Sequence, residues 1–291
     1  LLAVVVAGRR SGIAWAVIVV VALAEMCLSA GAKQVRVFDR TCNDPRRCYV
    51  NSGIQAAVEA FGKTHGSSDI VRVYHVDDRK FRRTAIPGAL ALKEWDLYQD
   101  ALEADKIVNV PIAKHHGLAT ATFGLKNMMG IMGGNRGQIH YNLSECLADL
   151  HRRLPTSLTV IDATRVLLRN GPSGGNLADV QALGKVFASA DVVAAVAVAA
   201  ERVFRWKAGD VAHIQKALEA KRIVPEPPRA VGDGAHRGGH LEEVAHPLVQ
   251  GLDAPREGLH LPDELCHLAG GRLRGATPRC RSPGARSSCA T

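Results

Sequence analysis

The chain has 291 residues, 47% of them hydrophobic and only 4% aromatic, enough for one large domain whose core rests on Val, Leu, Ile and Ala. A formal net charge of +9 invites a nucleic-acid reading, but no zinc-finger spacing, aromatic RNA-binding signature or base-reading helix accompanies it, so no specific nucleic-acid partner is expected. The seven cysteines include no C-x-x-C pair, which excludes a recognisable zinc ribbon or iron–sulfur cysteine motif and leaves free thiols of a reducing cytoplasm.

Leu1 in place of Met reads as a fragment or a processed start. Arg9-Arg10 ahead of the apolar run Ile13–Ala24 resembles a twin-arginine export signal. The run holds twelve residues before Glu25, too few to cross a bilayer, which takes about twenty, so no stable membrane insertion is expected. Val17, Val20, Val21, Ala24 and Leu28 recur at helical spacing, and Gly31 stands where a helix C-cap glycine belongs. A core helix of a cytoplasmic protein is the preferred reading, with export the alternative.

Gln34–Phe38 then reads as a strand, Gly53–Phe61 as a helix and Ile70–Val76 as a strand. A short helix ends over Ala101–Asp105, and the strand Lys106–Val110 is stopped by Pro111. Asn142-Leu-Ser-Glu145 has capping-box spacing ahead of a helix faced by Leu143, Leu147, Leu150 and Leu154. His151, Arg152 and Arg153 complement the dipole of its last turn. Strands follow at Leu158–Asp162, Val166–Leu168 and Lys185–Ser189, then a helix over Val192–Val203 and a last one capped by Asp210 and carrying Val211, Ile214 and Leu218. This order predicts an α/β fold, a mixed or parallel sheet with helices on both faces. Eight of the thirteen prolines lie beyond Arg222, where periodicity fades. Residues 1–22 thus read as an atypical leading segment, 23–221 as the α/β domain and 222–291 as a disordered low-complexity tail, so that trimming at Arg222 should leave a folded domain.

From Lys106 to Ser144 there is no Asp or Glu. The same window holds Lys114, Lys126, Arg136, His115, His116 and His140 among glycines running from Gly117 to Gly137. Exposed backbone N–H groups beside clustered cations suit phosphate or carboxylate, and the ends of strands are where α/β proteins place ligands. Lys114, Lys126 and Arg136 are the expected anion ligands, Asn127 an orienting group, and His115, His116 and His140 the candidates for proton transfer, since imidazole titrates near neutrality. Asp39, at a strand end, could meet a ribose hydroxyl or a metal, or pair with Arg40, the pairing being the default. Gly174 and Gly175 in Asn170–Gly175 could cradle an anion or make a plain turn. Asp162 and Asp191, at strand ends, are candidate ligands of a hard metal. No Ser–His–Asp set is assigned.

The stretches Ala30–Asp39, Asn109–His116, Gly124–Gly130 and Gly171–Gly175 resemble, in order, the family catalogued as domain of unknown function 362, from about Leu23 to Leu218. The family has no established reaction. The resemblance implies association with iron–sulfur modules in some members and twin-arginine export in others. His116, Ala119, Gly124 and Lys126 are also arranged similarly to lactate racemases that use a nickel-pincer nucleotide. That likeness implies Lys126 as the residue holding a cofactor and His116 as a proton carrier, and leaves a second catalytic histidine unplaced. The function expected is binding of a small anionic substrate or cofactor over residues 111–140, as an enzyme; the alternative is a non-catalytic binding or redox-accessory module, with a redox partner or a second copy of the chain as further partners. The cofactor, a metal or such a nucleotide, stays open.

Overall fold

A computed structural model describes residues 2–6, 13–65 and 69–223. In chain order the elements begin with β1 (Leu2–Val6), α1 (Ile13–Ser29), β2 (Val35–Phe38), α2 (Pro45–Ser52), α3 (Ile54–Thr64) and β3 (Val71–Val73). They continue with β4 (Phe81–Ala85), β5 (Glu94–Tyr98), α4 (Gln99–Leu102), β6 (Lys106–Val110), β7 (Ile112–His116), β8 (Thr120–Thr122) and α5 (Gly124–Asn127). The last are α6 (Leu143–Arg153), β9 (Leu158–Leu167), β10 (Val180–Ser189), α7 (Val192–Ala199) and α8 (Ala212–Ile223).

The main sheet is mostly parallel. β3, β2, β1, β6 and β9 lie side by side in that order, all parallel. Pro111 has no N–H to give to a ladder and separates β6 from β7, yet β7 carries on along β9 in parallel. β8 returns antiparallel on β7, and β10 runs antiparallel on β9. β4 and β5 form a separate antiparallel pair.

Strand alternation explains the two faces. Val35 and Val37 of β2 and Val108 and Val110 of β6 point one way, onto Val20 and Ala24 of α1 and Val58 of α3. Phe38 and Ile107 point the other way, onto Met128, Leu147 and Leu150. A third cluster joins Ala113, Ile161 and Ala163 to Val192, Val196 and Ile214 of the last helices. Helices therefore cover both faces of a mixed sheet, as the periodicity predicts. Leu147 is fully buried, and its truncation to Ala should cost about 2–5 kcal/mol.

α1 meets its helical expectation, and Gly31 ends it at φ +92°, a left-handed conformation that glycine reaches without a Cβ penalty. No helix among the described residues is long and apolar enough to cross a membrane. Arg9-Arg10 and the segment beyond Ile223 lie outside the described residues.

Several local expectations change. Residues 1–22 supply β1, which pairs with both β2 and β6. The two strands read around Asp162 and Val166 are one ten-residue strand, β9, because β10 pairs along it to Leu167. The capping box at Asn142 does not form: the Asn142 side chain makes no cap bond, since the chain enters α6 directly from the 3-10 segment Arg136–Asn142. Asp210 accepts the N–H of Lys207 at 2.7 Å, closing the turn before α8.

Candidate anion-binding site

β7 places Lys114 and His116 on one face and His115 on the other, by the two-residue period of a strand. His115 goes to a structural task. Its Nδ1 accepts the Gly171 N–H at 3.0 Å, while the Gly117 N–H donates to the Gly171 carbonyl at 3.0 Å. A Cβ on Gly171 would stand 1.8 Å from the His115 carbonyl oxygen, so only glycine allows this approach. The 170–175 turn is held further by Asp179, which accepts from Asn170 Nδ2 at 2.7 Å and Arg169 Nε at 3.2 Å. Gly174 donates to the Asn170 carbonyl at 2.9 Å, and Gly174 and Gly175 both have positive φ. This is a built turn joining β9 to β10.

His116 is buried. Its Nδ1 accepts two backbone N–H groups, from Leu118 at 3.1 Å and Ala119 at 3.2 Å. Nδ1 is therefore unprotonated, and the neutral ring carries its hydrogen on Nε2. Burial, followed by Lys126 and Lys114, lowers its pKa to about 4. His140 lies beside it, ring centroids 6.5 Å apart and 21° between the planes. The Nδ1 of His140 is 2.9 Å from the Gly137 carbonyl, an acceptor only, so that nitrogen holds the hydrogen.

Lys126 on α5 is 9% exposed. Its Nζ donates to Met129 Sδ at 3.2 Å, a weak acceptor. Burial lowers its pKa to about 8; Cys42 opposes the shift, and Lys114 and Arg136 add to it. Arg136 donates from Nη1 to the Met129 carbonyl at 2.8 Å and from Nη2 to Cys42 Sγ at 3.3 Å.

Asp39 ends β2. Its N–H donates to Tyr49 Oη at 2.7 Å, and the Tyr49 hydroxyl donates back to the Asp39 carbonyl at 3.1 Å. Burial pushes the Asp39 carboxyl up to about 7, against the pull of Arg136 and Lys114. A small pocket lies beside it, lined by Thr41, Cys48, Tyr49 and Ser52 among others. The expected Asp39–Arg40 pair does not form. Arg40 instead donates to the carbonyls of Met132 at 3.0 Å and Gly134 at 2.9 Å and lies over the Phe81 ring.

Lys114, His116, Lys126, Arg136, His140 and Asp39 are thus electrostatic neighbours. β2 and β7 end beside them, at the carboxyl side of the parallel strands, where ligands of such sheets bind. The other candidates have local duties. Asn127 Nδ2 donates to Asn109 Oδ1 at 2.7 Å, and Asn109 Nδ2 to the Gly124 carbonyl at 2.8 Å, tying α5 to β6. A Cβ on Gly124 would stand 2.6 Å from Val192 Cγ2, so close packing accounts for this glycine. Asp162 Oδ1 accepts from the Thr164 N–H at 2.9 Å and its hydroxyl at 2.6 Å. Asp191 caps α7, accepting from Val193 at 2.9 Å and Ala194 at 3.2 Å. Among the described residues no three His, Cys, Asp or Glu side chains gather as a metal set.

Sequence reasoning did not single out His213 or Thr122. His213 sits on α8, buried, with Lys126 and His116 as its electrostatic neighbours. Its one legible signal was a histidine between the apolar Val211 and Ile214.

A thylakoid-associated protein of Synechocystis sp. is 29% identical to this chain over 106 residues, 34% of this chain and 32% of that protein. The chain therefore spans about a third of that relative's length. The lactate racemase apoprotein from Thermoanaerobacterium thermosaccharolyticum overlays on 66% of this chain and 46% of its own, with 11% identity and a TM-score of 0.41, a likeness too slight to bear on activity. The family match is broader and runs over residues 5–201. It takes in the last two residues of β1 and all of α1, and it stops before α8. The chain belongs to the family described as Domain of unknown function (DUF362).

Proposed function

We propose that this chain binds a small oxyanion, carried by a substrate or cofactor, among Lys114, Lys126 and Arg136, with His116 and His140 handling a proton on it. One observation carries the reading: burial, with Lys114 and Arg136 nearby, lowers Lys126 to about 8, while burial drives the neighbouring Asp39 toward its neutral form. Positive charge gathered at one place attracts an anion, and partial burial strengthens that attraction. The histidines add chemistry. His116 presents an Nε2–H donor, and His140, whose Nδ1 is taken by the Gly137 carbonyl, leaves its Nε2 for the proton on the ligand.

The test is a thermal-stability screen with phosphate, pyrophosphate and small carboxylates at fixed ionic strength, on wild type, Lys126→Met and His116→Gln. Stabilisation lost with Lys126→Met supports the site. Turnover lost in His116→Gln with binding retained supports an enzyme, whereas loss of affinity alone supports a binding module. An equal response to sodium chloride would overturn the reading.

A nickel-pincer-type nucleotide is one phosphate-bearing group these residues fit. The buried Lys126 amine would anchor such a group, and Lys114 and Arg136 would take its phosphate. When bound, such a group would supply redox chemistry on hydroxy acids. Intact mass, native against denatured, checks for an adduct on Lys126.

A further inference from the structure

We propose that His213 of α8 and Thr122 of β8 make direct polar contacts to the oxyanion, so that α8, beyond the family match, forms one wall of the site; this rests on the anion-binding reading. His213 is 1% exposed, and among the described residues its Nε2 has no hydrogen-bond partner. Native proteins rarely leave a buried polar atom so; the usual reasons are a water, an ion, a ligand or a catalytic task. Packing does not call for histidine here. Its neighbours Val211, Ile214 and Ala217 belong to an apolar cluster with Phe123, Leu125 and Val192, which a leucine would serve equally.

The position of His213 gives the reason. Lys126 and His116 are its electrostatic neighbours, so it borders the cation centre. Burial and those two neighbours keep it neutral, with a pKa near 4. Thr122 supplies the second orphan. It is buried, its Oγ1 has no partner among the described residues, and it stands opposite Lys114 in the β7–β8 register, on the same face as that lysine. Two elements thus each bring an unsatisfied polar atom to the lysines of one site.

The donor set names the ligand chemistry. The ammonium groups only donate, the threonine hydroxyl donates and accepts, and a neutral imidazole donates from Nε2 in the tautomer that carries its hydrogen there. A phosphoryl or carboxylate oxygen accepts from all of them. Neither orphan brings a charge, so together they complete the coordination of an oxyanion without adding to the repulsion between Lys114 and Lys126.

The experiment uses the full chain with 15N-labelled histidine, titrated at pH 7 with inorganic phosphate and separately with acetate, at constant ionic strength. The His213 Nε2 resonance should shift saturably with one of them, which identifies the oxyanion class. Its midpoint should match that of the thermal stabilisation. His213→Leu and Thr122→Val should each fold and bind that anion at least tenfold more weakly. If His213 stays unmoved while Lys126→Met abolishes binding, the anion site stands and this inference fails. If wild type binds neither anion, both fail. Should His213→Leu not fold, the resonance in wild type decides.

Discussion

The imidazoles of His116 and His140 lie 6.5 Å apart at their centroids, nearly parallel, with hydrogen bonds that place their protons oppositely. His116 must keep Nδ1 bare to accept from Leu118 and Ala119, and His140 must keep Nδ1 protonated to reach Gly137. Two histidines close in space thereby have their Nδ1 atoms in opposite roles, one accepting and one donating.

The first prediction concerns the charge of His116. Folding lowers its pKa from 6.5 to about 4, so its contribution to stability is present above pH 6.5 and is lost as the pH falls toward 4. His213 shares this direction and window. Histidine NMR should show both rings neutral at pH 5, with His116 bearing hydrogen on Nε2. A His116 ring that titrates near 6.5 would contradict the assignment.

Asp39 has the opposite sign. Folding raises its pKa from 3.8 to about 7, so it favours the fold below about pH 4, and that contribution disappears as the pH rises through 7. Asp39→Asn should therefore gain on wild type between those limits, reaching on the order of 2 kcal/mol at pH 8. Urea denaturation at pH 5 and pH 8 reads the difference. A difference that does not change with pH would count against a buried carboxyl.

Lys126→Met separates binding from stability. Folding lowers the amine from 10.5 to about 8, so the contribution present above 10.5 is lost as the pH falls through 8, and the charged amine costs stability at pH 7. Replacing it with an apolar chain of similar length should stabilise the unliganded protein at pH 7 by about 1–3 kcal/mol. The same change should remove stabilisation by phosphate. A variant that is less stable and still binds phosphate would contradict both expectations.

Asp149 makes a structural prediction. It is fully buried on α6 and accepts from the N–H groups of Leu90 at 2.9 Å, Ala91 at 2.8 Å and Leu92 at 2.9 Å. Asp149→Ala leaves three donors unpaired in the interior and should cost about 3–5 kcal/mol. Chemical denaturation measures it; a loss below 1 kcal/mol would show that water replaces the carboxylate.

Periodicity made the alternating strands and the helices legible, because side-chain period follows which face is buried: α6 and β6 match their sequence readings. The acid-free window led to Lys114, Lys126 and Arg136, which converge. It did not distinguish His115 from His116, because one register step sends neighbouring strand residues to opposite faces. It also gave Asn127 a ligand role, although Asn109, eighteen residues earlier in sequence, takes its amide. β1 was hidden by its shortness and by the Arg9-Arg10 signal that drew attention to export. Asp149 and His213 were hidden because their partners lie on other elements. No local pattern marks a carboxylate that caps a distant loop or a histidine orphaned beside a distant lysine.

The most direct test of anion binding at this centre is calorimetric titration of sulfate into wild type and Lys126→Met between pH 6.5 and 9, a range over which the charge of sulfate does not change. Lys126 and Asp39 both turn against an anion as the pH rises through 7 and 8. Wild type should bind at pH 6.5 and lose about tenfold or more in affinity by pH 9, and Lys126→Met should give no saturable heat. Binding that is independent of pH and indifferent to Lys126, or no binding by wild type, would contradict the account.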